Sequence, residues 1–260
     1  MLKKISILVL ILSLAGVGLI FSDEDFEFEG NVSCGKPYIF VSLGHSCFQA
    51  QATRVKDEKD SISFCEYLNN EKEPDGTRAN GLRDAAFPFD WLTSNDVDKL
   101  ILCLDEKFKH FLDESCFVRE SLHSLENVRY GLRFTHDWPY QGNHLDDERH
   151  KGQMAYIRQK YARRIARFES LKNYKGKVFF MRSYNFTPDY QNQSSRKIRD
   201  ALRRFFPALN FTLVIVNWTS NSIFKDGLIE GVKEYFQPGL TDFPEYALIY
   251  NDLLKENGFR

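Results

Sequence analysis

The chain has no surplus of charge of either sign. Its 35 Lys and Arg are matched by 36 Asp and Glu, a formal net charge of −1, so the overall balance offers no footing for nucleic acid. Glycine-rich phosphate loops are missing too. The one promising turn, SLGHSC at 42–47, holds a single glycine and matches neither a P-loop nor a dinucleotide fingerprint. Repeats and low-complexity tracts are absent, and no short hairpin signal supports a β-barrel half. Histidine is scarce, with six residues and none beyond His150. Any histidine chemistry must therefore come from the first 150 residues.

Long apolar runs are also rare, and the one that exists stands at the N-terminus. Lys3 and Lys4 precede Ile5–Phe21, an uncharged stretch, and Ser22-Asp23-Glu24-Asp25 follows at once. That order fits a signal peptide or signal anchor, so residues 1–22 are expected to direct export. Residues 23–36 form an acidic, turn-rich spacer, and 37–260 form a single domain, membrane-anchored or secreted. Export changes how the five cysteines are read. Cys34, Cys65, Cys103 and Cys116 are free to pair as disulfides or to stay reduced, which leaves Cys47 as the odd thiol. Five Asn-x-Ser/Thr sequons begin at Asn31, Asn185, Asn192, Asn210 and Asn217.

The domain is organised around Tyr38–Cys47. Tyr38–Leu43 is an apolar, β-favouring run, Gly44 breaks it, and Ser46 is placed to cap a helix starting near Cys47. A polar excursion over 57–80 follows. Gly81–Leu92 is apolar and aromatic, and its Pro88 excludes a central strand. Ser94 or Asn95 then caps an amphipathic helix carrying Val97, Leu100, Leu104, Phe108, Phe111 and Leu112 on one face. Val128–Thr135 reads as a second strand. Met154–Leu171 reads as a helix with Tyr161, Ile165 and Phe168 inward and arginines outward. Val178–Arg182 is a third strand, Ser194–Phe206 a helix, Phe211–Asn217 a fourth strand, and helices are expected near Ile223–Phe236 and Pro244–Lys255. Strands spaced by helices imply parallel crossovers. The fold class is therefore α/β: three layers, a mainly parallel sheet flanked by helices, preceded by the apolar N-terminal helix.

Parallel sheets bind ligands beyond the carboxyl ends of their strands. Here those ends deliver Gly44, His45 and Cys47; His136 and Asp137; Arg182 and Asn185; and Asn217. A thiol at the first turn of a helix sits by unpaired N–H groups and the positive end of the dipole, which favours the thiolate. Cys47 is thus the candidate nucleophile, with His136 as its base and His45 as the weaker choice. Asp137 or Asp90 would orient the histidine. Asn217 or Asn185 could donate to an oxyanion beside Gly44 and His45, and Arg182 could meet an anionic substrate group or pair with Asp90.

Several of these stretches occur together in one family. Ser42-Leu43-Gly44-x-x-Cys47, Pro88-Phe89-Asp90-Trp91-Leu92, His136-Asp137-Trp138 and Tyr161-x-x-Arg164-Ile165-x-Arg167-Phe168 ahead of VFFMR resemble the papain-like cysteine peptidase family, otherwise a domain of unknown function. The resemblance spans Tyr38 to Trp218. It implies a Cys–His site with Cys47 and His136 at the matching positions, peptide or another acyl or amide compound as substrate, and no cofactor. The parallel α/β pattern departs from papain itself, which has a helical half and an antiparallel barrel half. SGNH-type hydrolases, which take their histidine from near the C-terminus, find no such residue here. Two other classes remain open: an exported module binding glycan or nucleotide-sugar groups, and a metal-dependent hydrolase using His136, His144 and His150 with Asp137, Asp146 and Asp147. The leading reading assigns no metal.

Overall fold

Tyr38–Ser42 (β1) forms the strand expected of it, in a computed structural model. The residues described are 37–44, 87–90, 92–94, 96–121, 124–134, 147–184, 188–217, 229–236 and 243–259. The chain divides into two units, Met1–Asn31 and Val32–Arg260, and every described residue lies in the second. Among the described residues no helix is long and apolar enough to cross a membrane. The run Ile5–Phe21 lies outside them, as does the helix expected after Ser46.

The main sheet is parallel throughout, in the order β1-β5-β6-β7, where β5 is Lys177–Tyr184, β6 is Phe211–Asn217 and β7 is Val232–Phe236. Its residues alternate between two cores. Ile39, Val41, Val178, Phe180, Leu213 and Ile215 face one side, and Phe40, Phe179, Met181, Val214 and Val216 face the other. Burial on both faces is why these strands read as unbroken apolar runs.

Three helices cover the first face: Val97–Asp105 (α1), Asp147–Ser170 (α2) and Pro188–Phe205 (α3). Phe243–Glu256 (α4) covers the second through Ile249, Tyr250, Leu253 and Leu254. Proline at the first position of α3 lacks only an N–H that would have had no helical partner. The first core is rich in aromatic rings. Phe168 stands with its ring centre 6.0 Å from Phe89, 5.4 Å from Phe108 and 5.2 Å from Phe206. Each such pair adds about 0.5–1.5 kcal/mol beyond the area it buries.

Four expectations need correction. Val128–Thr135 is not a strand of the main sheet. Among its described residues, only Leu132–Arg133 (β4) forms a strand, at the end of a separate antiparallel sheet with Phe117–Ser121 (β2) and Ser124–Asn127 (β3). The Asn127 side chain accepts from the Tyr130 N–H at 3.1 Å and closes the intervening turn. Secondly, the first helix ends at Asp105, because Lys107 and Phe108 turn left-handed, with φ of 50° and 60°. Phe108 gives up the helix to enter the aromatic cluster, and the cap at the other end is Asp96, which accepts from Lys99 N at 3.0 Å. Thirdly, Val232–Phe236 is a strand, with Val232 and Tyr235 packed on opposite cores. Lastly, Arg164 and Arg167 are buried, and Arg164 lies 4.8 Å over the Tyr161 ring.

The turn after α1 is held by Glu106, which receives hydrogen bonds from Tyr130 Oη (2.7 Å) and from the Arg129 guanidinium. The Arg129 and Tyr130 bonds hold its carboxyl down to about 2, from an ordinary 4.5. The folded value lies below the unfolded one, so this contribution is complete above pH 4.5 and is lost as the pH falls towards 2. Glu106→Gln should flatten the fall of stability across that window, measured as denaturant midpoints from pH 5 to pH 2.

Candidate active site

All four strands of the main sheet point the same way, so their carboxyl ends share one edge. At that edge β1 runs into Leu43 and Gly44, and Leu43 N still donates to Met181 O at 2.8 Å. Gly44 then takes φ +80°, and its N–H donates to Ser42 Oγ at 3.1 Å. A Cβ there would meet Phe89 and Leu92 only at 3.5 Å, so conformation rather than space calls for glycine. Gly44→Ala should cost about 1–2 kcal/mol, read as a shift in the urea midpoint.

Phe87–Asp90 is a tight turn over Pro88. Asp90 closes it in both directions: its N–H donates to Phe87 O at 3.2 Å, and its Oδ2 accepts from Phe87 N at 2.8 Å. Asp90 is buried. Phe89 and Leu92 on the same segment enter the first core and pack the loop against the end of β1.

Arg182, on β5, joins these pieces. It is wholly buried; Nη1 donates to Leu43 O at 2.6 Å and Nη2 to Ser94 O at 2.9 Å. Thr93, next to Ser94, bridges Arg133 of β4, with Thr93 N to Arg133 O at 3.2 Å and Arg133 N to Thr93 O at 3.0 Å. One guanidinium therefore clasps the end of β1 to the 87–94 loop, and that loop is in turn stitched to β4. Both of these bonds end on backbone carbonyls. Asn217 is buried at the end of β6, opposite Tyr184.

Gly44, Asp90, Arg182 and Asn217 are thus placed by β1, the 87–94 loop, β5 and β6. His45, Cys47, His136, Asp137, Asn185 and the loop carrying His144 lie outside the described residues. Sequence reasoning missed Ser94 as a partner of Arg182. Its hydroxyl is buried and has no hydrogen-bond partner among the described residues. The other thiols differ in character. Cys103 and Cys116 are both free, and burial pushes the Cys103 thiol well up from its ordinary value.

These features define an α/β protein with a candidate ligand site at the carboxyl edge of a parallel sheet. The chain belongs to the family described as "putative papain-like cysteine peptidase", whose model matches residues 77–221, more than half of the sequence. The matched span takes in Asp90, His136, Asp137, Arg182, Asn185 and Asn217, and it begins downstream of Cys47. No curated protein and no solved structure matches the chain.

Proposed function

We propose that the chain is a thiol hydrolase acting on peptide or related amide bonds, with Cys47 as nucleophile and His136 as its base. Family membership supports the reaction class. The observation that carries the residue choice is the Arg182 clasp. Cys47 follows Leu43 by four residues and His136 follows Arg133 by three. Their chain reach from the clasped segments is at most about 14 and 11 Å, which ties both residues to the neighbourhood of those segments.

In this reading the Cys47 thiolate attacks the substrate carbonyl carbon, and the carbonyl π electrons move onto oxygen. Collapse expels the amine, which takes a proton from the His136 imidazolium and leaves a thioester. Water, giving its proton to His136, then hydrolyses the thioester and frees the acid and the thiolate. Asn217, Asn185 and Ser94 are the candidate side-chain donors to the oxyanion, beside backbone N–H groups following Gly44. Asp137 or Asp90 orients His136, and Arg182 positions the strand ends. The N-terminal run Ile5–Phe21 makes export, secreted or membrane-anchored, part of the same proposal.

The test is the pH dependence of iodoacetamide alkylation at Cys47, read by mass spectrometry on the folded protein. Cys47 should react well below the ordinary thiol range of about 8.5, and His136→Ala should move it back towards that range. Cys103 should stay unmodified until unfolding, which makes it an internal control. A Cys47 that resists alkylation until the domain unfolds would overturn the reading in favour of a binding module.

A further inference from the structure

A second grouping of reactive side chains lies in the turn that leaves α1. We propose that His110, Asp113 and Cys116 form a binding site for a zinc-class divalent cation, with three protein donors and a fourth position left to solvent.

The three donor atoms lie within 4.8 Å of one another, and all three residues are half-buried. In a tetrahedral zinc site with bonds of about 2.0–2.3 Å, neighbouring donors stand about 3.3–3.8 Å apart. The separation of His110 Nδ1 from Asp113 Oδ2, 3.2 Å, is close to one edge of that figure. The thiol then needs only a small approach to complete the face. An imidazole, a carboxylate and a thiolate are each ordinary zinc ligands, and three protein donors with one open place is the count of a site that keeps a water.

The backbone that carries the donors is held in place independently of any ion. His110 N donates to Tyr130 Oη at 3.2 Å, and His110 O accepts from Asn127 Nδ2 at 2.8 Å. Cys116 N donates to Asp113 O at 3.0 Å, and Cys116 O accepts from Val128 N at 2.9 Å. Asp113 Oδ1 is occupied by the Ser115 N–H (3.0 Å) and hydroxyl (2.7 Å), which turns Oδ2 towards His110.

An ion pair between residues three apart would account for His110 and Asp113. It would not account for Cys116, whose sulfur converges on the same point, nor for four backbone bonds fixing a turn at the protein surface. A cation here would fasten the left-handed exit of α1 to the start of β2. Its donors are not those of the His136–His150 stretch, and it does not depend on the proposed hydrolase activity.

The test uses the full chain, stripped with chelator and reloaded. Zinc should bind at one equivalent, and Co²⁺ should produce a thiolate-to-metal charge-transfer absorption in the near ultraviolet. Cys116→Ser should abolish that band. Asp113→Asn keeps the acceptor for Ser115 but removes the charge, and should weaken Co²⁺ binding at least about tenfold. Far-ultraviolet circular dichroism checks that both variants are folded. A charge-transfer band that survives Cys116→Ser, binding unchanged in Asp113→Asn, or no zinc retained by the wild-type chain would each overturn the proposal.

Discussion

Replacing Arg182 with methionine is expected to lower the unfolding free energy by roughly 2–6 kcal/mol, the largest stability loss of any polar substitution proposed for this fold. The figure follows from two carbonyls, Leu43 O and Ser94 O, that lose charged donors at 2.6 and 2.9 Å. Each carbonyl left buried and unpaired costs about 1–3 kcal/mol. Methionine fills much of the volume, so the loss reports the hydrogen bonds rather than a cavity. Lysine restores one charge but carries a single ammonium on a flexible stem, where arginine holds a planar fork. Arg182→Lys should therefore recover only part of the loss. Guanidinium midpoints for the three proteins measure the series, with the exposed Arg204→Met as a surface control. A loss under about 1 kcal/mol would mean that Leu43 and Ser94 do not rely on this side chain. Because the clasp also fixes the end of β1, Arg182→Lys should broaden the pH profile of Cys47 alkylation if that residue is the nucleophile.

The elements legible in the sequence are those that one local pattern decides. Phe211–Asn217 matches β6 at both ends, because a strand buried on both faces is a continuous apolar run bounded by polar residues. Tyr38–Ser42 and the helix ending at Glu256 were legible for the same local reason. Val232–Phe236 was not. Its two charges, Lys233 and Glu234, hide a period-two pattern within a longer stretch that also suits a helix. Glu234 is satisfied from outside the strand, by Ser195 Oγ at 3.2 Å. The apolar spacing of Phe108 and Phe111 looks helical, yet those residues are apolar because they enter the aromatic cluster, and the backbone leaves the helix to put them there. The hairpin of β2 and β3 was hidden because Leu122-His123, between them, has none of the glycine or asparagine that marks a tight turn.

The candidate site was legible by position more than by contact. A glycine ending an apolar run pointed to Gly44, and a polar residue at the end of each strand pointed to Arg182 and Asn217. What Arg182 touches was not legible, since Leu43 and Ser94 are 139 and 88 residues away in sequence. Only the register of β1 on β5 and the return of the 87–94 loop create that contact. The grouping of His110, Asp113 and Cys116 was hidden differently. Its spacing matches no standard ligand motif, and it converges through the turn at Asp113, where Cys116 N donates to Asp113 O and Ser115 N to Asp113 Oδ1. Read as a helix, that stretch would set His110 and Cys116 about 9 Å apart along its axis.

Cys47→Ala and His136→Ala should each remove nearly all hydrolysis, and combining them should remove no more. A nucleophile and its base act on one transition state, so losing either leaves only substrate binding and the oxyanion donors to favour reaction. The expected fall for each single substitution is about a thousandfold or more, measured as new amino groups released from denatured casein. If the two residues contributed separately, their losses would multiply in the double variant. Equal activity in all three variants is the result expected of one unit. Asp90→Asn should act differently, because the amide can still accept from Phe87 N and so preserve the turn over Pro88. If Asp90 orients His136, that variant should keep its stability while its rate falls and its pH profile shifts. If the rate holds, Asp137 is left as the orienting carboxylate. A double variant far less active than either single one would separate Cys47 from His136 and end the case for a Cys–His pair.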